Sequence, residues 1–346
     1  MKIKQIIVLT TIITICSTAR SQTFTNAFDY MDKIDVQFKS IMSDAWDYVS
    51  TAAHKKNARK TETKRNELLK TIASAQKSIQ KMQSFEDDLS YRDTVLSYLK
   101  LYYDVLNKDY AKIVDMEEIA EQSYDNMEAY LLAQQIAEEK LDKANDNLNL
   151  EIEKFAVSHG MNMTENKDKI AKKLESSSKV IKYYNVVYLI FFKSYKQEFY
   201  LISAMNTNDV NGMEQNKNAL ITCTTAGLAA LDTIKSFKGD ISIVSSCKTV
   251  LNFYKTEAST KMKDIIDYFI AKENFDKIKT AFDAKAQTSR TKADVDQYNN
   301  AVNEINVALK KFSTINDDLN NKRSTALTNW NNASEKFIDV HVPKYK

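Results

Sequence analysis

Apolar residues recur every three or four positions through most of this chain, the spacing expected for one buried face of a long α-helix. Towards the C-terminus the apolar positions follow a heptad: Val295, Tyr298, Val302, Ile305, Leu309 and Phe312. Leu141, Leu148, Ile152 and Phe155 have the same spacing earlier in the chain. Because a heptad of apolar residues forms the seam between packed helices, the later stripe predicts a long helix with a covered face.

Breaks in the periodicity divide the chain into eight predicted helices, four in each half. They are 25–53, 61–83, 89–121 and 124–158, followed by 167–205, 209–235, 246–288 and 292–337. Long helices joined by short loops favour antiparallel bundles. We therefore expect an all-α fold of two tandem four-helix-bundle-like units: unit 1 over 22–158, a linker over 159–166, unit 2 over 167–338 and a tail over 339–346. Thr164 is the expected cap of the helix after the linker.

Short sequence blocks repeat between the halves in the same order. SFEDDLS at 84–90 matches SFKGDIS at 236–242, and 65–69 matches 217–221, both at an offset of 152 residues. TVLSYLK at 94–100 matches TVLNFYK at 249–255 after three inserted residues, and 38–40 matches 192–194. Shared helical composition alone would scatter the offsets, so the blocks predict an internal duplication.

The first helix of unit 2 is unusually aromatic, and Tyr183 to Phe192 carries no charge. One interpretation is a helix buried on most sides, including the side at the contact between units. The other is a segment that refolds into a membrane, as in helical pore-forming toxins. Ten residues are too few to span a bilayer, and Asn185 and Lys193 interrupt or follow the run, so the sequence favours the buried helix.

Turn-forming residues are scarce, with 4 Gly and 1 Pro in 346 residues. Sandwiches, barrels and doubly wound sheets depend on such residues at their turns and are excluded in practice. Neither of the common Gly-rich phosphate-binding motifs occurs, so mechanisms built on them are excluded as well.

The first residues have the pattern of a secretory signal peptide over 1–21. Lys2 and Lys4 precede an apolar stretch at 6–15, and Ala19-Arg20-Ser21 predicts cleavage between Ser21 and Gln22. Lipidation at Cys16 is the alternative, disfavoured by the bulky residue before it. We expect an exported protein without a stable membrane span, at the periplasm, the outer surface or outside the cell.

Cleavage would remove most of the basic character of the chain. The full sequence has 49 basic and 46 acidic residues, and the predicted signal peptide holds three of the basic ones and no acid. The remaining chain would be neutral. Nucleic-acid binding depends on an excess of Lys and Arg, so we expect none.

Candidate chemistry is sparse. His54, His159 and His341 lie more than a hundred residues apart, and no zinc-protease or di-iron motif includes them. His159, Met161 and Met163 could offer soft ligands to Cu(I), but Met in a loop more often fills packing gaps. We expect no enzymatic activity and predict no catalytic residue, cofactor or metal site.

Cys223 and Cys247 are the thiols that remain after cleavage. An even pair in an exported protein usually forms a bridge, so the sequence predicts a disulfide between them. The spacing requires residues 241–245 to be extended and to fold back along the bundle. Two buried free thiols are the alternative.

The exported start, the two Gly- and Pro-poor halves and their shared blocks together resemble uncharacterised helical surface or periplasmic proteins of Bacteroidota and spirochaetes. The resemblance implies a location in the cell envelope and no reaction or ligand. We expect a non-catalytic binding or structural protein whose partner is an unknown protein or envelope component. The alternative is a membrane-active helical protein.

Overall fold

The computed structural model describes residues 24–54, 58–162 and 168–344, and the chain is all-α in these ranges, as predicted. The first half contains α1 (Ala27–Ala53), α2 (Ala58–Gln80), α3 (Ser90–Asp104), α4 (Tyr110–Ala120) and α5 (Tyr124–Ser158). The second half contains α6 (Lys169–Asn206), α7 (Val210–Thr233), α8 (Ser242–Thr256), α9 (Met262–Asp283) and α10 (Lys292–His341).

Short polar side chains begin several of the long helices. Ser123 caps α5, and Thr291 and Asp294 form a reciprocal capping box at the start of α10. Asp168 caps α6 by accepting hydrogen bonds from the backbone N–H groups of Ile170 and Ala171. The predicted cap, Thr164, lies outside the described residues.

Each half has one helix interrupted by a five-residue π-helical segment. Val105–Asp109 separates α3 from α4, and Glu257–Lys261 separates α8 from α9. The predicted helices 89–121 and 246–288 are therefore each two α-helices joined by a π turn. The two π segments lie 152 residues apart, the offset of the repeated sequence blocks.

A tight turn between the second and third helices also recurs at this offset. Phe85 and Asp88 exchange two backbone hydrogen bonds, and Phe237 and Asp240 do the same. In each case the aspartate Oδ1 accepts a hydrogen bond of 2.8 Å from the backbone N–H of the serine that begins the next helix. The repeated motif of the sequence is thus a repeated turn and helix start.

The turns and the helices that follow them align between the halves without a gap, so the three-residue insertion assumed between the sequence blocks is not needed. Ser90 and Ser242 each begin a 15-residue α-helix that runs directly into the π segment. Val95 is therefore equivalent to buried Cys247 rather than to Val250, and the match of 94–100 with 249–255 is wrong. The ungapped correspondence favours the predicted duplication.

The two halves do not have separate interiors. The larger core of the first half lies within that half, but a second core, built from α6 to α10, also includes Trp46, Ala120 and Met127 of the first half. At the edge of this contact His54 Nε2 lies 3.4 Å from Asp339 Oδ1. Side-chain packing therefore joins the predicted bundle units laterally.

The aromatic helix α6 is central to this packing. It contacts α1, α5, α7, α8 and α10, and Val187, Phe191 and Phe192 are buried. Phe191 stacks on Trp330 with ring centroids 4.3 Å apart. Within the described residues, no helix is both long enough and apolar enough to cross a bilayer.

Two predicted boundaries are wrong. The segment 241–245 is not an extended fold-back, because α8 already begins at Ser242, where Asp240 accepts its backbone hydrogen bond. The predicted tail 339–346 begins as helix, because α10 continues to His341. There the His341 ring packs against Phe337, which extends the apolar contact by one turn.

Candidate functional site

The hairpin of α9 and α10 projects beyond the part of the fold that the halves share. From the π segment to the hairpin loop, α9 has 22 residues where α4 has 11. On the return, α10 has 50 residues where α5 has 35, and it ends on an equivalent Phe–His pair. At 1.5 Å per residue the extra length is roughly 15–20 Å on each side. We call residues 270–312 the arm.

Aromatic pairs hold α9 and α10 together at the base of the arm and near its tip. Tyr268 stacks on Phe312 with ring centroids 4.4 Å apart, and Phe282 stacks on Tyr298 at 4.5 Å. The Arg290 guanidinium covers Phe282 at 4.1 Å, next to the hairpin loop. The arm is thus an antiparallel helix pair with an aromatic seam.

Apolar side chains on the arm are more exposed than the heptad predicts. Val295 and Leu309 of the predicted heptad are exposed, and so are Ile270 on α9 and Val307, which lies outside the heptad and is 73% exposed. The prediction of a covered seam is therefore wrong at Val295 and Leu309. The physical reason is that α9 and α10 contact chiefly each other here, and two helices alone cover only a narrow stripe of each.

A charged cluster is buried within the bundle, at the π turn that leads into α9. The Arg323 guanidinium of α10 donates hydrogen bonds to Glu198 of α6 and to Glu257, the first residue of the π segment. Glu257 is 1% exposed and Glu198 is 4% exposed. Glu257 Oε2 and the neighbouring Tyr254 hydroxyl are buried without a hydrogen-bond partner.

Burial changes the acidity of this cluster. Desolvation raises the pKa of Glu257 to about 7, with Arg323 opposing the shift and Glu198 adding to it. Desolvation also raises the pKa of Glu198. Two carboxylates facing one guanidinium leave one excess negative charge, which a buried site tolerates poorly.

The sequence patterns do not point to Glu198, Glu257 and Arg323, although the repeat carries a signal for them. The Tyr30 and Tyr183 hydroxyls donate equivalent hydrogen bonds to the carbonyls at 83 and 235, so α1 and α6 correspond at an offset of 153 residues. The match of 38–40 with 192–194, at an offset of 154, is therefore wrong by one residue. With this offset, the matched π segments and the Phe–His helix ends, the cluster corresponds to Ala45, Val105 and Leu141 in the first half, an apolar version of the charged site. Ala45 and Val105 are buried like their charged counterparts, and Leu141 is half-buried. An alignment of the two halves that pairs a charged residue with an apolar one at three positions would have identified the cluster from the sequence.

The three histidines lie at the C-terminal ends of α1, α5 and α10. His159 Nδ1 is 2.7 Å from the Phe155 carbonyl, and its ring packs edge-on against Phe85. His341 repeats this packing on Phe237, with Nε2 2.8 Å from Asp240 Oδ2. These contacts fix the helix ends to the tight turns described above.

The Cu(I) interpretation gains no support at the linker. Met161 packs against the core of the first half, next to His159, whereas Met163 lies outside the described residues. Among the described residues, no group of three His, Cys, Asp or Glu side chains is placed to hold a metal ion.

Cys223 and Cys247 are free thiols in this structure. Cys223 Sγ lies 3.8 Å from Ser194 Oγ, and Cys247 Sγ lies 3.9 Å from the Val187 carbonyl. Those two contacts are seven residues apart on α6, about 10 Å along its axis. The predicted disulfide is therefore not formed here, because the thiols face different turns of α6. Ser21, Gln22 and Cys16 lie outside the described residues.

In comparisons with known proteins, no family model, curated protein or solved structure matches the chain.

Proposed function

We propose that this chain is an exported, non-catalytic binding or structural protein of the bacterial cell envelope, and that the arm is its contact surface. The observation that carries the proposal is the length of the arm. The second half adds three to four helical turns beyond the shared fold, and these turns leave apolar side chains such as Val307 exposed. Exposed apolar surface on a projecting element is typical of an interaction site.

Burial of the acidic cluster supports a non-catalytic role. A general acid or base must come within hydrogen-bond reach of a substrate. Glu198 and Glu257 are almost completely covered by protein, so no substrate reaches them in this conformation. The rings of His159 and His341 are packed against aromatic side chains at the helix ends.

Site-specific photocrosslinking in the native cell tests the arm as a contact surface. We would place a photoreactive residue at Val307, which is exposed on the arm, and as a matched control at Leu150, which is exposed on α5. The proposal expects one discrete adduct from Val307 and none from Leu150. Equal adducts from both positions, or none from Val307, would count against the arm.

The export part of the proposal has a separate test. We expect the cell-associated or released protein to begin at Gln22 when its N-terminus is sequenced. A retained Met1 in a cytosolic fraction would contradict export. A lipid-modified Cys16 would show that the protein is exported but processed as a lipoprotein instead of being cleaved after Ser21.

A membrane-active function is the second candidate, favoured only by the uncharged aromatic run in α6. The run forms part of the second core, so insertion would require the bundle to open. Dye-loaded liposomes distinguish the two functions: release by the folded protein would favour membrane activity, and intact vesicles would favour the binding role.

A further inference from the structure

The buried cluster lies within the bundle, on the two chain segments that lead into and out of the arm. Between the cluster and the arm, Ile265, Ile266 and Phe269 of α9 are buried in the second core. Glu257 begins the π segment that leads into α9, and Arg323 lies on α10 where this helix returns from the arm. Glu198 belongs to α6, the central helix of the second core. The Arg323 guanidinium thus ties the start of the π segment and the middle of α10 to α6.

The geometry leaves the cluster one positive charge short. Glu198 and Glu257 share one guanidinium, while Glu257 Oε2 and the Tyr254 hydroxyl have no partner. The groups that act electrostatically on Glu257 are Arg323 and Glu198, and Tyr195 of α6 also acts on Tyr254. A proton on one carboxyl group would remove the excess charge and supply the missing donor.

The first half shows that the fold does not need these charges. Its equivalent site is Ala45, Val105 and Leu141, with the same π turn at Val105–Asp109 but a hairpin without the arm extension. Well-packed apolar residues at such a site usually stabilise at least as well as a buried ion cluster. Charges at this π turn therefore call for a role other than stability.

We propose that Glu198, Glu257 and Arg323 form a proton-dependent lock on the π turn that leads into α9. With a proton on the cluster, the π turn is held against α6. When both carboxyl groups are ionised, the uncompensated charge draws water into the site and the π turn opens, while Ile265, Ile266 and Phe269 keep the rest of α9 packed in the second core. This opening is independent of what the arm contacts.

The sign of the effect follows from proton linkage. The folded cluster keeps a proton at a pH where an exposed glutamate has lost it, because desolvation raises the pKa of Glu257 to about 7 from an ordinary value of 4.5. The stabilisation is complete below pH 4.5 and is lost as the pH rises through about 7. The lock is therefore closed in mild acid and open in mild base.

Hydrogen exchange of the full chain measures the opening directly. After correction for the intrinsic exchange rate, we expect protection of the amides of residues 254–262 to fall about tenfold between pH 6 and pH 8. Amides of 68–79 in α2, which lies in the other half, serve as the internal reference and should keep their protection.

Two variants make the test specific. In Glu257→Gln the carboxyl group is replaced by a neutral group of the same shape, so protection at 254–262 should not change with pH. Glu257→Val introduces the residue of the first half and should behave in the same way. The proposal is overturned if the wild type shows no change, if Glu257→Gln shows the wild-type change, or if α2 loses protection to the same extent.

Discussion

Cys223 and Cys247 both lie against α6, and burial raises the pKa of each thiol, for Cys247 to about 12. Thiols react as thiolates, so both side chains should be almost inert in the folded protein. Their chemistry thus reports on whether the bundle is intact rather than on a catalytic or redox role.

Thiol labelling is the corresponding prediction. Protein isolated without reductant from an oxidising compartment should label slowly when native and should yield two thiols per chain after denaturation. Mass spectrometry of the alkylated protein counts them. Recovery of no thiol from denatured, unreduced protein would instead mean that Cys223 and Cys247 are linked after a rearrangement of α7 and α8.

At the scale of elements, the repeated turn between the second and third helices has different residues in the two halves at one position with positive φ. Gly239 adopts φ +87°, and the equivalent residue of the first half, Asp87, adopts φ +62°. The left-handed region is open to Gly at no steric cost and disfavours other residues. The two halves therefore use the same backbone with different amounts of local strain.

Exchanging these residues should have opposite consequences. Gly239→Ala should lower the free energy of unfolding by about 1 kcal/mol through backbone strain alone, because no atom lies within 4 Å of the added Cβ. Asp87→Gly should cause no loss and a gain of up to about 1 kcal/mol. Urea denaturation measures both, and equal losses in the two variants would contradict the equivalence of the turns.

At the scale of the whole molecule, the shared core makes the two halves energetically dependent. Trp46 of α1 is 4% exposed and belongs to the same core as Trp330 of α10. The Lys173 ammonium of α6 lies 5.3 Å from the Trp46 ring, next to the contact between the halves. We therefore expect the chain to unfold as one cooperative unit.

Truncating Trp46 tests this coupling. Trp46→Ala should cost about 3–5 kcal/mol and should shift the unfolding transitions seen by far-UV circular dichroism and by Trp330 fluorescence together. Phe28→Ala, at an exposed position on the same helix, is the control and should change stability by less than about 0.5 kcal/mol. Two separate transitions, one of them unaffected by Trp46→Ala, would show that the halves unfold independently.

The sequence by itself determined the all-α class, most helix boundaries and the equivalence of the two turns, because these depend on local spacing. Apolar residues every three or four positions specify a helix whatever it packs against, and the turn motif carries its own hydrogen-bonding side chains. The aromatic run of α6 was also interpretable, since a charge-free stretch of that length fits a core better than a bilayer.

Only the tertiary structure decided which faces are covered and which charges are buried. The heptad of α10 is the same pattern whether one helix or three pack against it. The exposure of Val295 and Leu309 therefore depends on the arm having only two helices. Glu198, Glu257 and Arg323 are distant in the chain and meet only through packing. The tertiary structure also decided that Cys223 and Cys247 are not linked, because the distance between the thiols depends on which turn of α6 each one faces.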